Sequence, residues 1–235
     1  MSAGTTLVRL IGSGPLLLDF DGPVCSVFAG YPAPRVAAEL IALLDAEGVT
    51  MPPEVRREGD PLAVLRWTGE GCTPRVIRMV EDALCSAELR AVETAGPTPS
   101  ARDVILNAGA RGLPVAVVSN NSAAAIEAYL TAQGLAGYVT PIIGRAYAEP
   151  TRMKPDPQPV LAAARVLDVV PSACALIGDS LTDIEAARKA GTCVVGFANR
   201  PWKVDKFAAA DAVVTSMAEI AEALARGPES ACQTM

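Results

Sequence analysis

Four short runs rich in Val, Ile and Leu constrain the fold more than any other feature of this chain. They lie at residues 16 to 20 (LLLDF), 113 to 118 (LPVAVV), 174 to 178 (CALIG) and 193 to 197 (CVVGF). Each is continuous where a half-exposed strand would alternate, as expected of a strand buried on both faces of a parallel sheet. Weaker runs of the same kind stand at 139 to 143 (VTPII) and 212 to 214 (AVV). Helical patterns separate the later strands, at 122 to 133, 157 to 167, 181 to 190 and 216 to 225. Strand and helix in alternation predict an α/β fold built on a doubly wound, Rossmann-like parallel sheet.

Residues 24 to 96 break that alternation, with helical patterning and no convincing buried strand. They predict a helical cap inserted after the first strand, with 1–23 and 97–235 as the core. Two helix starts are legible in the cap. Asp60-Pro61 and Thr73-Pro74 each put a side-chain acceptor at the N-cap and a proline at the first helical position, where its missing N–H costs nothing. Residues 74 to 92 carry apolar residues at three-to-four spacing, GPTP (96 to 99) marks the return, and 100 to 112 lead by a helix into the second strand. The tail from Gly227 to Met235 is expected to fray.

The 235 residues are enough for one large domain or a core with an insertion, so the interior needs no disulfides. Six scattered cysteines, Cys25, Cys72, Cys85, Cys174, Cys193 and Cys232, form no C-x-x-C pair, and the chain has no histidine to complete a zinc site. Thiols idle in a reducing cytosol are the expectation. The formal charge of −6 and the lack of a basic stripe argue against nucleic acid as main partner. No stretch approaches the length of a membrane span, and MSAGTTLVRL lacks the layout of a signal peptide, so a soluble cytoplasmic protein is expected.

Without histidine, acid and base chemistry falls to carboxylates, lysine, serine or cysteine. Asp19 and Asp21 stand at the carboxyl end of the first buried strand, where open α/β sheets bind ligands. If the strand persists through them, alternation puts both carboxylates on one side. Ser119 follows the second strand just before a helix, a place suited to an anion. Lys154 precedes a helix whose expected cap is Asp156, with Pro157 as its first residue, while Asp179 ends the next strand and Asp183 lies four residues on. Like charges about 4 Å apart repel by roughly 4 kcal/mol at an effective dielectric near 20, so converging acids call for a cation. An all-oxygen ligand set favours magnesium.

Taken in order, DFDG (19 to 22), VVSN (117 to 120), Lys154 in KPDP and GDSLTD (178 to 183) resemble the four motifs of the haloacid dehalogenase superfamily. The resemblance spans about residues 15 to 200, and the insertion matches members with a helical cap. It implies that Asp19 is the nucleophile, forming an aspartyl-phosphate, and that Asp21 protonates the departing alkoxide and then deprotonates the hydrolytic water. Ser119, Asn120 and Lys154 would hold the phosphoryl oxygens. Asp19, the main-chain carbonyl of Asp21, and Asp179 would bind Mg2+, and Asp183 would orient this group through water or Lys154.

Relatives that cleave carbon–halogen bonds lack the second aspartate, so Asp21 points to phosphate. Phosphonate hydrolases of the family use a cap lysine, and residues 24 to 96 contain none. The leading expectation is a magnesium-dependent phosphatase of small phosphorylated metabolites, similar to phosphoglycolate phosphatases. A phosphosugar mutase and a non-catalytic binding protein on the same fold are the alternatives. In the cap, Arg56, Arg57, Arg66 and Trp67 are candidates for contact with an anionic leaving group. Pro23 stands where the family usually has Thr or Val; it removes a backbone donor and stiffens the first linker.

Overall fold

The structure, a computed structural model, describes residues 3–226; the tail from Gly227, with Cys232, lies outside the described residues. The chain forms α1 (Ala3–Ile11), β1 (Leu16–Leu18), β2 (Cys25–Ser26), α2 (Ala33–Ala46), α3 (Pro61–Gly71), α4 (Pro74–Val92), β3 (Gly96–Pro97) and α5 (Ala101–Ala110). It continues through β4 (Val115–Val118), α6 (Ala123–Ala132), β5 (Ile142–Ile143), α7 (Gln158–Val166), β6 (Ala175–Gly178) and α8 (Leu181–Ala190). The last elements are β7 (Cys193–Phe197), the short α9 (Lys203–Lys206), β8 (Ala212–Val214) and α10 (Met217–Arg226).

Among the described residues, six strands pair in parallel in the order β5-β4-β1-β6-β7-β8. The continuous apolar runs follow from burial on both faces. Leu16 and Leu18 of β1, with Val115, Val117 and Ile177, join a cluster filled by α1, α5, α6 and α10. Leu17, Ala116, Val118 and Leu176 point the other way, into a cluster with α7 and α8. Alternate residues of every strand thus meet helices, which leaves no position for a polar side chain. No helix among the described residues is long and apolar enough to cross a membrane.

Two expectations need correction, and one helix was not anticipated. The first strand ends at Leu18, because Val24 and Cys25 N–H both donate to Phe20 O and Gly22 adopts a positive φ of 117°. Asp19 and Asp21 therefore leave the strand through a turn, and alternation does not govern their side chains. Pro23 lies within that turn, whose bonds come from Gly22, Val24 and Cys25, so its missing donor costs nothing there. Second, α7 begins at Gln158 with Pro157 as its N-cap residue, one position later than expected; the Asp156 carboxylate still accepts from Gln158 N–H at 2.8 Å. Helix α1 has no counterpart in the sequence reading. Its threonines are modest helix formers, and burial of Leu7 and Ile11 against the core accounts for it.

Between the ribbon strands β2 and β3, which pair antiparallel, α2, α3 and α4 enclose an apolar cluster of their own. Asp60 accepts from Leu62 N–H at 2.9 Å and Thr73 from Val76 N–H at 3.4 Å, as their sequence positions predict. Met153, which belongs to the core, is buried in this cap cluster.

Candidate active site

Sheet register brings the motif residues together. Leu18 of β1 lies level with Val117 of β4 and Ile177 of β6. Asp19, Ser119 and Asp179 therefore leave three adjacent strands within a residue or so of the same height. The strand order also reverses at β1, with β4 and β5 on one side and β6 to β8 on the other, and such a switch point opens a crevice at the carboxyl edge.

Lys154 is buried at the centre of this edge. Its Nζ lies 2.9 Å from Asp19 Oδ1 and 2.5 Å from Asp183 Oδ1 as ion pairs, and donates to Val118 O at 2.8 Å. Burial alone would lower its pKa; Asp183 and Asp19 override that and hold it above the ordinary lysine range. Asp183 divides its two oxygens between tasks. Oδ2 accepts from Ser180 N–H at 3.0 Å and Ser180 Oγ–H at 2.6 Å in a capping box that starts α8, and Oδ1 faces the ammonium.

Two glycines make room for the acids. A Cβ at Gly22 would come 2.4 Å from Asp179 Cγ, and one at Gly178 would meet Asp183 Cβ at 2.3 Å. Among the described residues, oxygens of Asp19, Asp179 and Asp183 lie within 4.8 Å of one another, an all-oxygen set of the kind a hard divalent cation takes. Burial, then Asp183 and Asp179, push the Asp19 carboxyl above its usual range, with Lys154 opposing. Asp179 is raised as well, by burial, and Lys203 pulls the other way. Acids that resist ionisation together fit a site completed by a cation.

The Asp21 carboxylate is not part of that cluster. It accepts from Val27 N–H at 2.9 Å, across the first linker, and burial pushes its pKa up to about 6. Ser119 is buried, with Oγ 3.2 Å from Asn121 Oδ1 and 3.3 Å from Asn121 N. The side chain of Asn120, a residue expected to touch substrate, bonds the Lys154 main chain: its Nδ2 donates to Lys154 O at 3.1 Å and its Oδ1 accepts from Lys154 N–H at 2.8 Å.

The cap candidates separate clearly. Arg66 reaches the site, donating through Nη2 to Lys154 O at 3.3 Å. Arg56 does not; its guanidinium pairs with Asp45 of α2 at 2.8 Å on the cap surface. The turn Val55–Arg57 buries Val55 in the cap cluster, which leaves Arg56 and Arg57 outside. Trp67 packs partly buried against the same cluster.

Two site residues were not read from the sequence. Lys203 Nζ lies 2.6 Å from Asp179 Oδ2 and 2.7 Å from Asp179 O, and Asn199 Nδ2 donates to Asp179 Oδ2 at 2.9 Å. Both follow β7. Their one available signal was position beyond the carboxyl end of a buried strand.

With this geometry in view, comparison with known proteins is specific. The family model for haloacid dehalogenase-like hydrolases matches residues 16–191. Phosphoglycolate phosphatase of Thiobacillus denitrificans is 41% identical over 115 residues, 48% of this chain and 49% of that protein. The bifunctional riboflavin kinase/FMN phosphatase of Arabidopsis thaliana is 32% identical over 123 residues, 52% of this chain and 32% of that protein. The chain thus spans half or less of the length of these curated relatives. Among solved structures, CbbY from Rhodobacter sphaeroides in complex with phosphate has a TM-score of 0.66 at 22% identity, covering 88% of this chain and 96% of that one, a likeness of fold.

Proposed function

The chain belongs to the haloacid dehalogenase-like hydrolases, and on that premise we propose that it is a magnesium-dependent phosphatase of small phosphorylated metabolites. The observation that carries the reading is Lys154 Nζ at 2.9 Å from Asp19 Oδ1, paired also with Asp183 and anchored by its hydrogen bond to Val118 O. A cation so fixed beside a carboxylate suits a phosphoryl group whose oxygens gather charge during transfer.

In this mechanism Asp19 attacks phosphorus through Oδ2, since the Lys154 and Phe20 N–H contacts both fall on Oδ1. The P–O bond to the leaving group breaks as the Asp19–phosphorus bond forms, and the departing alkoxide takes the proton of the Asp21 carboxyl. A carboxyl that titrates at about 6 can be protonated in part near neutral pH and can then act as base. In the second half Asp21 accepts a proton from water, whose oxygen attacks phosphorus, releasing phosphate and restoring Asp19. Ser119 and Lys154 bind the phosphoryl oxygens throughout. Asp19, the Asp21 carbonyl and Asp179 would hold Mg2+, which supplies positive charge against the phosphoryl oxygens.

Arg66 is the cap residue assigned to an anionic leaving group, because it alone of the four cap candidates bonds a residue of the site. Relatives named as phosphatases of phosphoglycolate and FMN support small phosphorylated metabolites as the substrate class. The five cysteines among the described residues are free, which fits a reducing, cytoplasmic setting. The test is a phosphomonoester panel with Mg2+, with Asp19→Asn as the blank. Turnover of at least one ester, abolished in the variant, is expected; an inert wild type across the panel would refute the reading.

A further inference from the structure

Away from the carboxylate cluster, one group of buried charges is left unexplained by the proposed mechanism. Glu81 and Glu88 of cap helix α4 and Arg145, which follows β5, are buried together where the cap meets the core. Arg145 Nη2 lies 2.8 Å from Glu81 Oε1, and Nη1 lies 2.8 Å from Glu88 Oε1. Two carboxylates against one guanidinium leave a net negative charge in the interior, and Glu81 Oε2 has no hydrogen-bond partner. Burying such a set is costly, and apolar side chains of equal volume often serve stability as well or better. Stability alone is therefore a poor reason for it.

The other ends of these side chains supply a better one. Arg145 Nη1 donates to Asn120 O at 2.6 Å; Glu88 accepts from Asn121 Nδ2 at 3.2 Å and from Ser122 N–H at 2.9 Å. Of the three residues after Ser119, Asn121 and Ser122 are thus held by α4 directly and Asn120 through Arg145. Asn121 in turn bonds Ser119 Oγ, and Asn120 grips the main chain of Lys154 on both sides. The two groups assigned to the phosphoryl oxygens are both tied to α4, Ser119 through Asn121 and Lys154 through Asn120 and then Arg145.

We propose that Arg145, braced by Glu88 and Glu81, is a positioning residue that sets the phosphate-holding loop 119–122 from the cap. This rests on the phosphatase reading for the identity of the ligand, but the bracing of the loop is a property of the protein without ligand. Asp19 and Asp179 follow β1 and β6, not the strand that leads into loop 119–122, so disturbing the triad is expected to affect phosphate more than metal.

The experiment uses the full chain with inorganic phosphate and Mg2+ as probes, comparing wild type with Glu88→Gln, which keeps the volume, and Arg145→Lys, which keeps the charge. Calorimetric titration is expected to show phosphate binding weakened at least about fivefold in both variants, with Mg2+ affinity within about twofold of wild type. Amide hydrogen exchange, measured without phosphate or metal, is expected to quicken at Ser122 by about tenfold or more. Folded variants with wild-type phosphate affinity and a protected loop would overturn the proposal. Equal loss of phosphate and Mg2+ affinity, or failure of both variants to fold, would also overturn it, as either marks a general structural role. If wild type binds no phosphate, the phosphatase reading fails, and the exchange measurement alone decides the bracing of the loop.

Discussion

Asp183 holds Lys154 with one carboxylate oxygen, 2.5 Å from Nζ, and starts α8 with the other. The same side chain thus fixes a helix terminus and the ammonium that faces Asp19. Asp183→Asn keeps the shape and removes the charge from a wholly buried ion pair. The expected loss is on the order of 3 kcal/mol of stability and about a hundredfold in kcat/KM. Urea unfolding and steady-state kinetics on one active phosphomonoester check both, and wild-type kinetics in the variant would contradict the assignment.

Burial makes Asp21 a weaker acid in the folded protein than in the unfolded chain, at about 6 against 3.8. Between those values the folded state binds more protons. Stability of the metal-free protein from this group therefore falls as pH rises from about 4 to about 6 and stays low above. Asp21→Asn abolishes the ionised form, so it is expected to stabilise the metal-free protein at about pH 7.5 by roughly 2 kcal/mol and to have little effect near pH 4. Urea unfolding at the two pH values is the measurement; an equal effect at both would sink the argument.

Gly22 adopts φ 117° and abuts the Asp179 carboxylate. In Gly22→Ala the new methyl group displaces that carboxylate and strains the turn. A loss of about 2 kcal/mol or more in stability is expected, together with weaker Mg2+ binding. Thermal unfolding and a metal titration on the same sample test the pair of effects.

Arg66 and Arg56 had equal standing in the sequence, and the fold separates them. Arg66→Ala is expected to raise KM for an ester with an anionic leaving group by about tenfold. Arg56→Ala, which breaks only a half-exposed surface pair with Asp45, is expected to leave KM within about twofold. Kinetic comparison of the two variants decides; the opposite ranking would remove Arg66 from the site.

The positions of the buried strands were legible because burial on both faces demands uninterrupted apolar residues. So were the helices that begin at Asp60-Pro61 and Thr73-Pro74, since capping is decided within a few residues. The start of α2 was not legible: its N-cap is Pro32, which offers no side-chain acceptor. Glu81 and Glu88 carried a signal that went unread. They stand seven residues apart on α4, two turns along the same face, beside the buried Val80, Leu84 and Ala87.

By itself the sequence determined a parallel α/β core, set the helical pattern of residues 24 to 96 apart from it, and singled out acids, a serine and a lysine in the segments that follow buried strands. Those features depend on local pattern and on residue type. Tertiary structure alone decided that β1 ends before Asp19, that Lys203 and Asn199 meet Asp179, and that Arg145 joins the cap to the loop after Ser119. These relations link residues far apart in the chain. They arise from sheet register and from the packing of the cap against the core, which no short stretch of sequence contains.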